Sequence, residues 1–290
     1  MAVSGGGAPS GLESHRGRWF VVKIGGELAQ DRAHLARSAG AAAAAFIAAG
    51  VKVAVVHGGG PQATDLQERL GLQPIKVAGR RVTDEATLEV MKMTLAGQVS
   101  VDVASAFRLA GVRALCTTGV SAGLVSAKRR PPKVLTGAGP DPVDLGLVGD
   151  VTGVDVELFD RLASIGVVPV LGSLCGDAQG QVFNVNADTV ASRVASRLKA
   201  AKLFLVSNVP GVLRNKDDLS TRIPVLTPDE ARAQIAAGTI VGGMIPKVEE
   251  AVQMLEEGID AVHIVGVKPE DALLREAREP GSAGTTFRRR

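Results

Sequence analysis

The chain has no tyrosine, one tryptophan and only 3% aromatic residues. Single-stranded nucleic-acid platforms stack bases on aromatic side chains, so the basic runs Lys128-Arg129-Arg130 and Arg288-Arg289-Arg290 read as solvated surface, and no nucleic-acid partner is expected. Cysteine is as scarce. Cys116 and Cys175 are far apart and form no C-x-x-C pair, which excludes a disulfide framework and a thiolate metal cluster. Each falls in an apolar, strand-like run and reads as an inert buried thiol. Long apolar runs are missing too: Ser38 to Val51 is charge-free but too short to span a bilayer. Residues 1–17 are rich in Gly, Ser and Pro, without the basic-then-apolar order of a signal peptide. The expectation is a cytoplasmic, soluble protein with a disordered leader over 1–17 and no membrane partner. Neither G-x-x-x-x-G-K-[ST] nor a G-x-G-x-x-G after the first strand occurs, so any phosphate chemistry is neither Walker-type nor Rossmann-type.

What is there is an alternation of strands and helices. At 290 residues one large or two medium lobes are expected. The run Trp19 to Ile24 is almost continuously apolar, the pattern of a strand covered on both faces. Further strands are expected at 51–56, 112–116, 166–171, 202–206 and 260–265, with helices at 32–49, 84–97, 98–110 and 156–165. The fold class is therefore α/β: an open, mostly parallel sheet sandwiched between helices. Residues 117–154, rich in Gly, Pro and Asp, read as hairpins and loops lining a site. In such sheets ligands bind beyond the carboxyl ends of the strands.

The polar clusters sit at those ends. Asn184-Val185-Asn186-Ala187-Asp188 falls where a strand hands over to a helix, with Asn186 suited to the N-cap and Asp188 to the first turn. Capping alone can account for Asn186, but two asparagines and an aspartate within five residues exceed what one cap requires. Lys23, near the end of the first strand and just before Gly25-Gly26, can snorkel or can reach a phosphate over a glycine turn. His57-Gly58-Gly59-Gly60-Pro61 feeds glycines into a helix start, a geometry that receives an anion. His57 itself reads as structural. Arg81 follows that loop and suits carboxylate capture, and Thr83 can cap the helix opening at Asp84. Gly242-Gly243-Met244-Ile245-Pro246-Lys247 puts a cation in a first helical turn, a placement that calls for a compensating anion.

This set resembles the amino acid kinase family, in particular its members that phosphorylate N-acetyl-L-glutamate. The matching pieces are Lys23-Ile24-Gly25-Gly26, His57-Gly58-Gly59-Gly60, Gly79-Arg80-Arg81-Val82-Thr83, Asn184 to Asp188 and Gly243 to Lys247, in the family's order over roughly residues 19–287. The resemblance implies ATP-dependent phosphorylation of the side-chain carboxylate of N-acetyl-L-glutamate to the acyl phosphate, a step of arginine biosynthesis. It implies catalysis by Lys23 and Lys247, with Asp188 holding both, and substrate binding by Gly59, Gly60, Arg81, Asn184 and Asn186. Nucleotide binding is assigned to Gly25, Gly26, Ser207, Asn208, Val209, Gly211, Val212, Leu213, Thr239, Ile240 and Val241. ATP would bring Mg²⁺ held mainly by its phosphates, with no metal site of the protein's own. Residues 18–178 would form an amino-acid-binding and dimerising lobe, and 179–290 a nucleotide-binding lobe. The chain departs from the family's pattern at Asn208, where Asp is usual, and at residues 117–125. Arginine-inhibited members carry an additional N-terminal helix that 1–17 look unable to form, so a homodimer without strong arginine feedback is expected. Two alternatives are a kinase for carrier-protein-linked aminoadipate and a catalytically silent sensor on the same fold.

Overall fold

The computed structural model describes residues 11–135, 137–215, 217–242 and 244–289. One eight-stranded sheet organises them. In chain order its strands are β1 (Trp19–Ile24), β2 (Lys52–His57), β3 (Ala114–Thr118), β4 (Val168–Gly172), β5 (Lys202–Ser207), β6 (Val225–Leu226), β7 (Ala261–Gly266) and β8 (Gly284–Arg288). The spatial order is β6-β8-β7-β5-β1-β2-β4-β3. Only β7 and β8 pair antiparallel; every other neighbouring pair is parallel. The α/β expectation therefore holds.

The pleat of β1 divides its side chains between two cores. Phe20, Val22 and Ile24 join Phe46, Phe107 and Phe204 on one face. Trp19 and Val21 join Phe159, Val190, Val194, Leu203 and Leu205 on the other. Lys23 follows the parity of Val21 and so faces the layer that carries Val190 and Val194.

Eight helical segments cover the sheet: α1 (32–48), α2 (Gly60–Arg69), α3 (85–109), α4 (Val156–Ser164), α5 (Ala187–Arg197), α6 (Pro228–Ala236), α7 (Met244–Glu256) and α8 (Ala272–Arg278). The alanines of α1 permit close packing: a Cβ on Gly40 would stand 2.9 Å from Ala110 Cβ. α6 opens with the capping box Thr227/Glu230 and Pro228 in its first turn.

Three expectations change. The break near residue 97 is absent, because a π-helical stretch, Lys92–Val99, carries α3 through without interruption. Thr83 does not cap α3. Asp84 does, accepting from Thr87 N–H at 2.7 Å, which leaves the buried Thr83 free for another partner. Residues 11–17 are not part of a disordered leader. Gly11–His15 forms a 3₁₀ turn that buries Leu12, His15 meets the Phe20 ring edge-on at 5.1 Å, and Gly17 N–H bonds Gly50 C=O at 2.8 Å. Residues 1–10 of that leader lie outside the described residues.

The Gly- and Pro-rich stretch after β3 forms the expected hairpins. Val125–Arg129 pairs antiparallel with Gly149–Val154, and Lys133–Val134 with Pro142–Val143. The first pair is joined by a later hairpin, Leu174–Gly176 with Val182–Asn184, in a second, four-stranded sheet. Both cysteines are free. Burial pushes the Cys175 thiol up to about 12, and it is inert at neutral pH. Cys116 is only half-buried and approaches Ser100 C=O at 3.0 Å.

Candidate active site

Three strand ends and three helix starts meet at the carboxyl ends of the sheet's strands. At the first, Lys23 Nζ lies 2.9 Å from Asp188 Oδ1, with both side chains mostly buried. Asp188 stands in the first turn of α5, whose N-cap is Asn186: its Oδ1 accepts from Asp188 N–H at 2.7 Å and Thr189 N–H at 3.4 Å. The cap fixes the start of the helix, and the helix start aims the carboxylate at the lysine.

The second strand end brings the two glycine turns into contact. A Cβ on Gly26 would fall 3.0 Å from Gly59 Cα and 3.1 Å from Pro61 Cδ, and one on Gly59 would fall 2.8 Å from Leu95 Cδ2. Only hydrogen fits at either Cα. Gln62 Nε2 donates to Gly26 C=O at 2.6 Å and ties the turns together. Around Gly60 the space is open, and α2 begins there with Pro61 in its first turn, so unpaired backbone N–H groups and the positive end of the helix face that space. His57 is structural. Burial holds its ring near a pKa of about 4, and Nε2 lies 2.8 Å from Ser100 Oγ.

Arg81 lies along α2. Its Nη2 donates to Thr64 Oγ1 at 2.7 Å and Gly60 C=O at 3.1 Å, and its Nη1 bonds Gln67 Oε1. Asn184 Nδ2 donates to Thr83 Oγ1 at 3.1 Å. The two residues assigned to the amino-acid substrate are thereby joined through the chain segment 81–83.

The third strand end, β5, runs into Ser207-Asn208-Val209. Lys247 reaches it from the first turn of α7, donating to Ser207 Oγ at 2.9 Å. Burial lowers the Lys247 pKa, the charge of Lys23 lowers it further, and Asp188 acts in the opposite direction. The two ammonium groups thus line one cavity, and the charge of Asp188 acts on both. Asp188 contacts Lys23 directly, whereas the direct partner of Lys247 is the Ser207 hydroxyl.

A cavity of about 230 Å³ opens among these groups, lined by Lys23, Gly25, Asp188, Ser207, Asn208, Val209 and Lys247. Gly211, Val212, Leu213, Thr239, Ile240 and Val241 do not line it. Gly211 has φ +143°, and a Cβ there would meet Thr285 Oγ1 at 2.6 Å. Val212 is buried and donates its N–H to that hydroxyl at 2.8 Å, while Leu213 bridges to Arg222. This turn is built to pack against β8. Ile240 belongs to the core. Gly243, in the motif that precedes Lys247, lies outside the described residues.

Two acidic residues line the cavity that sequence reasoning passed over. Glu27 follows the first glycine turn and accepts from Asn208 Nδ2. An aspartate at 208 would set two carboxylates against each other, a physical reason for Asn at this position. Glu250 stands three residues after Lys247 on α7, and burial, followed by the charge of Asp188, raises its carboxyl to about 7. The i, i+3 spacing put both side chains on one helix face, a signal available in the sequence. Among the described residues no group of three or more His, Cys, Asp and Glu could hold a metal ion.

Residues 18–266 match the amino acid kinase family. An acetylglutamate kinase of Sorangium cellulosum is 54% identical over 92% of this chain and 94% of that protein. One of an Anaeromyxobacter species is 49% identical over 92% of this chain and 98% of its own length. Among solved structures, N-acetylglutamate synthase of Neisseria gonorrhoeae superposes with a TM-score of 0.79 at 23% identity, covering 96% of this chain and 61% of that one, a likeness of fold.

Proposed function

This chain belongs to the amino acid kinase family, and from that premise we propose that it transfers the γ-phosphoryl group of ATP to the side-chain carboxylate of N-acetyl-L-glutamate. A carboxylate oxygen attacks the γ-phosphorus, the bond to the β,γ-bridging oxygen breaks, and an acyl phosphate and ADP result. The observation that carries this reading is the convergence of Lys23, Asp188 and Lys247 on one cavity beside two touching glycine turns. The acceptor class and the place in arginine biosynthesis follow the acetylglutamate kinases to which the chain is similar.

The carboxylate acceptor is already ionised at pH 7, so no general base is needed. The obstacle is repulsion between an anionic acceptor and a polyanionic donor, and catalysis rests on positioning and charge stabilisation. A unit charge ~4 Å from another contributes about 4 kcal/mol at an effective dielectric near 20, which corresponds to roughly three powers of ten in rate. Lys23 and Lys247 supply that charge, and Asp188 keeps Lys23 extended into the cavity. The N–H groups at Gly59 and Gly60 receive oxygens of the acceptor or the transferring group. Arg81, with Asn184 and Asn186, binds and supports the amino-acid end, and the β5 turn, Ser207 to Val209, holds the nucleotide. Mg²⁺ arrives with ATP and takes its ligands from phosphate oxygens and water.

The halves 18–178 and 179–290 take the substrate and nucleotide roles respectively. We also infer a homodimer. β3 is the last strand of the sheet, and Leu115 on it is exposed together with Met93, Val101 and Leu109 of the neighbouring α3. An unpaired edge beside exposed apolar side chains is a surface that a second copy would cover. Among the described residues no helix is long and apolar enough to cross a membrane.

Incubation with MgATP, N-acetyl-L-glutamate and hydroxylamine tests the reaction. Acyl hydroxamate should accumulate with that acceptor, and an absence of hydroxamate would refute the assignment. Light scattering tests the dimer.

A further inference from the structure

The mechanism gives the carboxyl of Glu250 in the cleft no task. Glu250 lies one helical turn beyond Lys247 and lines the same cavity as Lys23, Asp188 and Asn208. Among the described residues its carboxyl has no hydrogen bond and no ion pair within contact distance. The charged groups that act on it come from four elements: Asp188 of α5, Lys23 of β1, Arg80 of the hairpin that precedes α3, and Lys247 of its own helix. A carboxylate here would oppose the entry of a polyanion into a site otherwise furnished with cations. A neutral carboxylic acid would instead present an O–H donor to it.

Resting on the kinase reading above, we propose that Glu250 is a nucleotide-binding residue that donates a hydrogen bond from its carboxylic acid form to a phosphate oxygen, so that nucleotide binding takes up one proton from solvent. Burial and the neighbouring Asp188 already hold the free group at about 7, well above the ordinary glutamate range. Phosphate charge arriving next to it favours the protonated form further, as like charges in one site do. The direction follows. Below the free pKa the acid form is already present and binding moves no proton. Above it, each binding event must protonate the group, and affinity weakens by up to about tenfold per pH unit.

Isothermal titration with MgADP, which needs no acceptor and gives no turnover, tests this in buffers of different protonation enthalpy between pH 6 and 9. Wild type should take up a proton fraction that rises toward one above neutrality, and its affinity should fall over the same range. Glu250→Gln, an isostere of the acid, should keep the low-pH affinity, show a flat pH dependence and take up less by that fraction. Proton uptake unchanged in Glu250→Gln, or a wild type with none at any pH, would overturn the proposal. The wild-type titration stands alone should the variant fold poorly. Proton-coupled MgADP binding without hydroxamate formation would sink the acceptor assignment and leave Glu250 in place. Hydroxamate formation with uncoupled binding would do the reverse, and no MgADP binding at all would end both.

Discussion

Lys23 Nζ sits 2.9 Å from Asp188 Oδ1, joining the central strand to the first turn of the helix that follows the asparagine cluster. The pair is intelligible from the pleat: Lys23 shares the face of Val21, against which α5 packs. Asp188→Asn would remove the charge that keeps Lys23 extended while leaving Lys247 nearby. A kcat loss of about 10²-fold or more is expected, with MgATP affinity much less affected, measured by hydroxamate formation and by titration with MgADP.

Lys247→Ala removes a cation that matters most while charge moves between donor and acceptor. Its kcat should fall by roughly three powers of ten, with KM for N-acetyl-L-glutamate nearly unchanged, the pattern of an interaction made in the transition state. Hydroxamate formation left intact in this variant would invalidate the mechanism.

Asn208→Asp would place a carboxylate against Glu27, whose Oε2 now accepts from the Asn208 amide. KM for MgATP should rise by about tenfold, on the scale of a 1–2 kcal/mol like-charge penalty. Adding Glu27→Gln in the same chain should restore most of the loss, and a double-mutant cycle measures the coupling.

Gly59→Ala would push a methyl to 2.8 Å from Leu95 Cδ2. The overpacking should cost about 1–3 kcal/mol, lowering Tm by several degrees by calorimetry. Activity should fall as well, because the glycine turn shifts with the start of α2.

Acid should unfold the protein through its buried groups. Glu276 is fully buried. Burial would raise its pKa, but His263 Nδ1 at 3.0 Å, Thr286 and the N–H groups of Gly281 and Gly284 outweigh it and hold it at about 2. Its folded pKa is below the unfolded value, so its contribution is complete above pH ~4.5 and is lost as pH falls toward 2. His57, held at about 4, begins to lose its contribution below pH ~6.5. Urea midpoints at pH 7, 5 and 3 should decline in that order, and Glu276→Gln should flatten the lower part of the decline.

Much of the site was legible because its residues violate local expectations. A lysine inside an apolar strand and a lysine in the first turn of a helix both cost free energy unless something anionic answers them. Asn186 was readable as a cap and proved to be one. The stretch from Gly211 to Leu213 does not line the cavity, and a glycine demanded by packing against Thr285 has the same sequence signature as a glycine that admits a phosphate. Glu27 and Glu250 were missed for the opposite reason. The i, i+3 spacing of Lys247 and Glu250 was visible in the sequence, but an acidic residue near a lysine on a helix, or after a glycine pair, usually marks ordinary surface, and only the folded chain sets these two in a cleft. Thr83 lost the cap to its neighbour Asp84, whose side chain accepts from Thr87 N–H and starts the helix one residue later.

The strands of the two halves join edge to edge where β1 meets β5, in parallel register from Phe20 opposite Lys202 to Ile24 opposite Val206. Among the described residues the two sides of this seam are continuous hydrogen-bonded sheet. An approach of one toward the other would come from a change of twist along this seam, or from α7 and the hairpin that pairs Lys76–Val77 with Arg80–Arg81 travelling over the sheet as a floor. The lysine carried by that floor would stay put while the one on α7 made the journey.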